Sequence, residues 1–153
     1  MKDKEKFLLI YVILIIPTLI IGMATQKPFI SVNNFAWIIV LFNTVVFLVS
    51  LRLFKVESQS ALFFLTYILV IFIILIIDKD YFYAAYIQST PTCIFPKVVL
   101  NICIILAVPF IPIFEVLFNL NIFSLSAIII PAFIGILMTL SKVVIEFNRK
   151  GKK

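Results

Sequence analysis

Five apolar runs, each close to the length that crosses a bilayer, fill most of this chain: residues 7–23, 35–51, 61–77, 98–120 and 122–141. A spanning helix needs about 20 predominantly apolar residues to cover the hydrocarbon core. Hydrophobic residues make up 64% of the 153 and charged residues 13%, against about a quarter charged in an ordinary soluble domain. These numbers exclude a soluble globular domain, a disordered chain and a nucleic-acid-binding module. Alternation of polar and apolar residues, the signature of a transmembrane barrel strand, is nearly absent. The expected fold is all-α: a polytopic integral membrane helical bundle, one membrane domain over 1–153, with four or five transmembrane helices.

The runs are not equivalent. The third, ALFFLTYILVIFIILII, is the cleanest and stops at Asp78-Lys79-Asp80. The first contains Pro17 and is expected to bend there. Its basic start and Gly22-Met23-Ala24 resemble a secretory signal, but the expectation is an uncleaved first helix. The fourth is the poorest, holding Asn101, Glu115 and Asn119, with Pro109 and Pro112 three residues apart. Proline removes a backbone donor and clashes with the preceding turn, so a Pro-broken fourth segment is expected. Between the third and fourth runs, Tyr81, Phe82, Tyr83 and Tyr86 favour a short interfacial helix through Gln88.

Lysine and arginine set the orientation. If the fourth run enters and leaves on one side, both termini are cytoplasmic, and ten of the 13 basic residues lie inside, including Lys142 and the tail to Lys153. Five plain spans with the N-terminus outside is the rival arrangement. It also places the basic C-terminal tail, 142–153, in the cytoplasm. The Phe, Ile, Asn and Lys bias suits an AT-rich bacterial genome, so the expected location is a bacterial cytoplasmic membrane.

Little conventional chemistry is available. The chain has no histidine, which removes the commonest metal ligand and the usual neutral-pH proton shuttle. Three glycines cannot build a phosphate-cradling loop. Cys93 and Cys103 alone cannot hold zinc, and they are expected to remain structural thiols. No enzyme activity, cofactor, metal or nucleic-acid partner is expected.

The polar residues inside the runs are therefore the candidates. Glu115 is the one acidic residue within an apolar run, and a carboxylate in a membrane is a functional candidate by default. The plainer expectation places it at headgroup depth, accepting water. Asn43, Thr44 and Asn101 are expected to hydrogen-bond across to other helices and fix packing. Thr66 and Tyr67 are similar packing donors, though a threonine can instead bond its own preceding turn. Ala127, Pro131, Gly135 and Thr139 recur every four residues, which puts them on one helix face. Such a row lets another helix approach closely. Asp78 and Asp80 look like ordinary stop charges.

Two function classes follow. The preferred one is non-catalytic helix–helix contact, as an accessory subunit of a membrane assembly or an immunity-type protein against a pore-forming bacteriocin. The partners would be the bilayer and either another membrane protein or a second copy. The alternative is a small oligomeric transporter or channel using Glu115 and the Pro109/Pro112 break.

Overall fold

The computed structural model describes residues 3–24, 36–79, 93–120 and 122–150. All regular structure among them is helical. The long helices are α1 (Asp3–Ala24), α2 (Ala36–Leu53), α3 (Ser58–Ile77) and α6 (Ser126–Lys150). Between α3 and α6 lie α4 (Lys97–Ala107), a 3-10 turn (Val108–Phe110) and α5 (Pro112–Asn119). A second 3-10 turn, Phe123–Leu125, leads into α6. The interfacial helix expected over 81–88 lies outside the described residues.

Three stretches are long and apolar enough to cross a membrane: Ala36–Leu53, Ser58–Ile77 and Phe123–Phe147. The fourth run is broken as expected, with Lys97–Phe110 and Pro112–Phe118 meeting at 85°. The bend expected at Pro17 does not interrupt α1, which continues helical for 22 residues.

The apolar character of the core extends to the outer surface of the molecule. Leu8, Ile38, Phe63 and Phe147 are well exposed, together with many other large apolar side chains. Thr18, Asn43, Ser50, Asp78, Glu115, Ser126 and Ser141 are buried. Soluble monomers rarely expose contiguous apolar surface on this scale, whereas a lipid solvent accepts it and drives polar groups inward.

The inner face of each helix is marked by its spacing. On α2 it is Ala36, Ile39, Asn43, Phe47 and Ser50; on α3 it is Ala61, Leu65, Ile68, Phe72 and Leu75. Steps of three and four residues keep one stripe inward. Helix α3 packs on both α6 and α4, while α2 packs on α1, α5 and α6. Phenylalanine rings tie these contacts together. Phe7 stacks on Phe64 at 5.0 Å, Phe47 lies 6.0 Å from Phe64, and Phe47 meets Phe110 edge-on at 6.4 Å. Phe114 sits between Phe72 and Phe123 at 5.3 and 5.8 Å. Such pairs contribute about 0.5–1.5 kcal/mol each beyond their area.

The α2–α3 connection is a tight helix stop. Val56 N–H bonds the Leu51 carbonyl at 3.1 Å and Lys55 N–H bonds that of Arg52 at 3.3 Å. This is a Schellman arrangement, closed by contact between residues at the positions of Leu51 and Val56, and both are buried here. Lys55 has φ of 50°, in the left-handed region where glycine is usual. A lysine there costs about 1 kcal/mol.

Candidate functional site

The break in the fourth run is the centre of the molecule. From 107 to 117 every residue is buried, including Pro109, Pro112 and Glu115. The 3-10 turn contacts α1 and α2, and α5 lies on α2. Each proline that makes the break also withdraws a backbone donor. Pro109 has no N–H for the Ile105 carbonyl four residues earlier. Pro112 has none for Pro109 at 3-10 spacing or for Val108 at α spacing. A carbonyl that loses its helical donor needs another partner.

Neighbouring helices supply them. Tyr11 of α1 donates its hydroxyl to the Ile105 carbonyl at 2.5 Å, which also receives the Val108 N–H. Asn43 of α2 donates Nδ2 to the Pro109 carbonyl at 2.7 Å and to Thr18 Oγ1 at 3.2 Å. The Thr18 hydroxyl lies 3.4 Å from the Leu14 carbonyl of its own helix. One amide thus joins α1, α2 and the break. Its other atom, Oδ1, is buried with no hydrogen-bond partner. Asn43 meets the expectation of an interhelical bond, with a backbone carbonyl as its main acceptor.

The other candidates are distributed differently. Glu115 is in the first turn of α5 and only 7% exposed. It is turned inside the protein, away from the exposed surface on which a carboxylate would simply accept water. The cause is the 85° turn, which carries the end of the fourth run back into the bundle. Asn101 lies on the exposed side of α4. Thr44 bonds the Val40 carbonyl and Thr66 the Leu62 carbonyl, each on its own helix. Thr66 and Tyr67 are exposed, so they are not packing donors within the chain.

The small-residue row of α6, expected as a face for close helix approach, does not pack within the chain. Ala127, Gly135 and Thr139 are exposed, and a Cβ built on Gly135 would meet nothing within 4 Å. The inward face is Ser126, Ile130, Ile134, Leu137, Ser141 and Ile145. That is one residue out of register, about 100° around the helix. With apolar residues on every side, small size at four-residue spacing did not identify which face turns inward.

Asp78 was misread from sequence. It is 4% exposed. Its Oδ1 accepts the Ile94 N–H at 2.8 Å and its Oδ2 the Phe95 N–H at 2.7 Å. A charge at the end of α3 therefore clamps the entry to α4. Cys93 and Cys103 are not bridged to each other, as expected. Among the described residues, no group of three or more His, Cys, Asp or Glu is placed to hold a metal.

Fold and site together define a class: a small helical protein with an apolar exterior and a proline-broken segment braced from two neighbouring helices. No known family matches the chain, and comparison with curated proteins and with solved structures gives no significant match. The functional reading therefore rests on the geometry.

Proposed function

We propose that this is a multi-pass protein of the bacterial cytoplasmic membrane, C-terminus cytoplasmic, that acts without catalysis through lateral helix–helix contact. In this reading α1, α2, α3 and α6 cross the bilayer, and the α4–α5 segment enters and leaves on one side. The observation that carries it is the contrast between a closed interior and an open α6 face. The Pro109 carbonyl, uncovered by the break, is met by Asn43, and residues 107–117 are buried. The row Ala127, Gly135 and Thr139 instead faces outward, with open space over Gly135. Small residues on an outer helix face allow the close backbone approach on which membrane helix association rests. An accessory subunit and an immunity-type protein are two uses of the same surface, separated by whether loss of the protein disables a resident assembly or sensitises cells to a pore-forming toxin.

The test is a photo-crosslinking side chain at Gly135 in native membranes, compared with one at exposed Val12 of α1. A discrete protein adduct at Gly135, lost on Thr139→Leu, is expected. Lipid adducts alone at both positions would contradict the contact role.

A second reading, transport, draws support from buried Glu115 and from Asn43 Oδ1, which lacks a hydrogen-bond partner. Proline-broken helices bearing polar groups at mid-membrane depth are the usual material of transporter sites. Proton or cation flux in liposomes that disappears with Glu115→Gln would favour it over the contact role.

A further inference from the structure

Away from the break, a groove of about 850 Å³ opens sideways between the start of α1 and the first half of α3. Phe7, Phe63, Phe64 and Val70 make its apolar wall, with Ser60 at one end and Tyr67 along it. Its extent on α3 is informative. Ser60 to Val70 is ten residues, about 15 Å at the helical rise, or half of a hydrocarbon core about 30 Å thick. The groove therefore matches one leaflet.

The Ser60 end is also the basic end of the molecule. Lys6 immediately precedes Phe7, and its Nζ donates to the Lys55 carbonyl at 3.3 Å. Arg52 and Lys55 occupy the helix stop just before α3. Glu5 and Glu57 are exposed nearby in sequence, so the basic groups outnumber the acidic ones. Lys55 holds its place in a left-handed conformation that glycine would adopt without strain.

We infer that this groove is a binding site for one anionic phospholipid, its acyl chain against Phe7, Phe64 and Val70 and its phosphate at Lys6 and Lys55. The choice of occupant follows from leaflet length, sideways opening and a cationic rim at the headgroup end. A partner's transmembrane helix would fit the apolar wall, but would have no use for a groove that ends halfway through the membrane. The inference rests on the membrane reading above and is independent of the contact role.

The experiment uses the full chain with Trp37, its one tryptophan, changed to Phe and Tyr67→Trp as a reporter in the groove. The protein is reconstituted in phosphatidylcholine vesicles containing a small fraction of acyl-brominated phosphatidylglycerol or acyl-brominated phosphatidylcholine. Bromine quenches the indole on contact. The expected result is about 25-fold stronger apparent binding of the anionic lipid, about fivefold for each of the two lysines. Lys6→Gln with Lys55→Gln should abolish the preference, and Lys55→Arg should retain it. Equal quenching by both lipids would overturn the inference. So would the absence of quenching in fully brominated vesicles, which would mean that protein covers the groove. Failure of the chain to float with vesicles would overturn the membrane reading as well, so the two failures are distinguishable.

Discussion

The broken fourth segment and the straight helix α3 solve the same problem in opposite ways. In α3 the backbone supplies its own hydrogen bonds, and its threonine turns inward on itself, Thr66 bonding Leu62. The same economy holds in α6, where Thr139 bonds the Gly135 and Ile136 carbonyls. In the fourth segment Pro109 and Pro112 remove donors, and the carbonyls they uncover are served from other helices by Tyr11 and Asn43. Tyr11 and Asn43 thus cross between helices at the break, whereas Thr44, Thr66, Thr139 and Ser141 bond carbonyls of their own helices. A polar residue in a helix of this kind is informative chiefly by what it reaches.

The largest expected effect is at the junction of the two regions. Asp78 ends α3 and clamps the amides of Ile94 and Phe95 ahead of α4. Hydrogen bonds to charged groups contribute about 1.5–3 kcal/mol each. Asp78→Ala should destabilise the protein by about 3 kcal/mol, measured by denaturant unfolding in bicelles.

Next is the brace itself. Hydrogen bonds between membrane helices average about 0.6 kcal/mol. Removing Asn43 costs more, because it leaves the Pro109 carbonyl buried without the donor that now serves it. Asn43→Leu should therefore cost about 2 kcal/mol. Thr66→Val in α3, whose hydroxyl serves its own turn, should stay within about 0.5 kcal/mol of wild type. Equal effects at the two positions would erase the contrast between the regions.

Smaller effects sharpen it. Tyr11→Phe should cost about 0.6 kcal/mol, because the Ile105 carbonyl keeps the Val108 N–H. Lys55→Gly relieves a left-handed lysine and should stabilise the helix stop by about 1 kcal/mol, read in the same unfolding assay. It should also weaken the preference for anionic lipid, a stability gain made at the expense of function.

The helical class, the helix positions and the break were legible in the sequence, because run length and proline spacing act on the backbone directly. Asn43 was legible as a cross-helix donor, since an amide in an apolar helix has few other uses. The inward faces were not. In α6 every side is apolar, and the packed row begins at Ser126 instead of Ala127. The burial of Glu115 was not legible for a different reason: it depends on the 85° turn, and two prolines announce a break without giving its direction. Asp78 was missed because its acceptance of the Ile94 and Phe95 amides joins residues 16 and 17 positions apart, a separation that no local periodicity encodes. Tyr11 and Thr18, seven residues apart, share a helix face with buried Leu14; that spacing was the available signal.

The central claim is that Asn43 stands in for a donor that proline withholds. A double-mutant cycle between Asn43→Leu and Pro112→Ala tests it most directly. Alanine at 112 restores an N–H that can reach the Pro109 carbonyl at 3-10 spacing, so Asn43 should matter less in that background. The expected result is a coupling of about 1 kcal/mol, with Asn43→Leu costing roughly half as much beside Pro112→Ala as it does alone. An undiminished cost in the Pro112→Ala background would contradict the account.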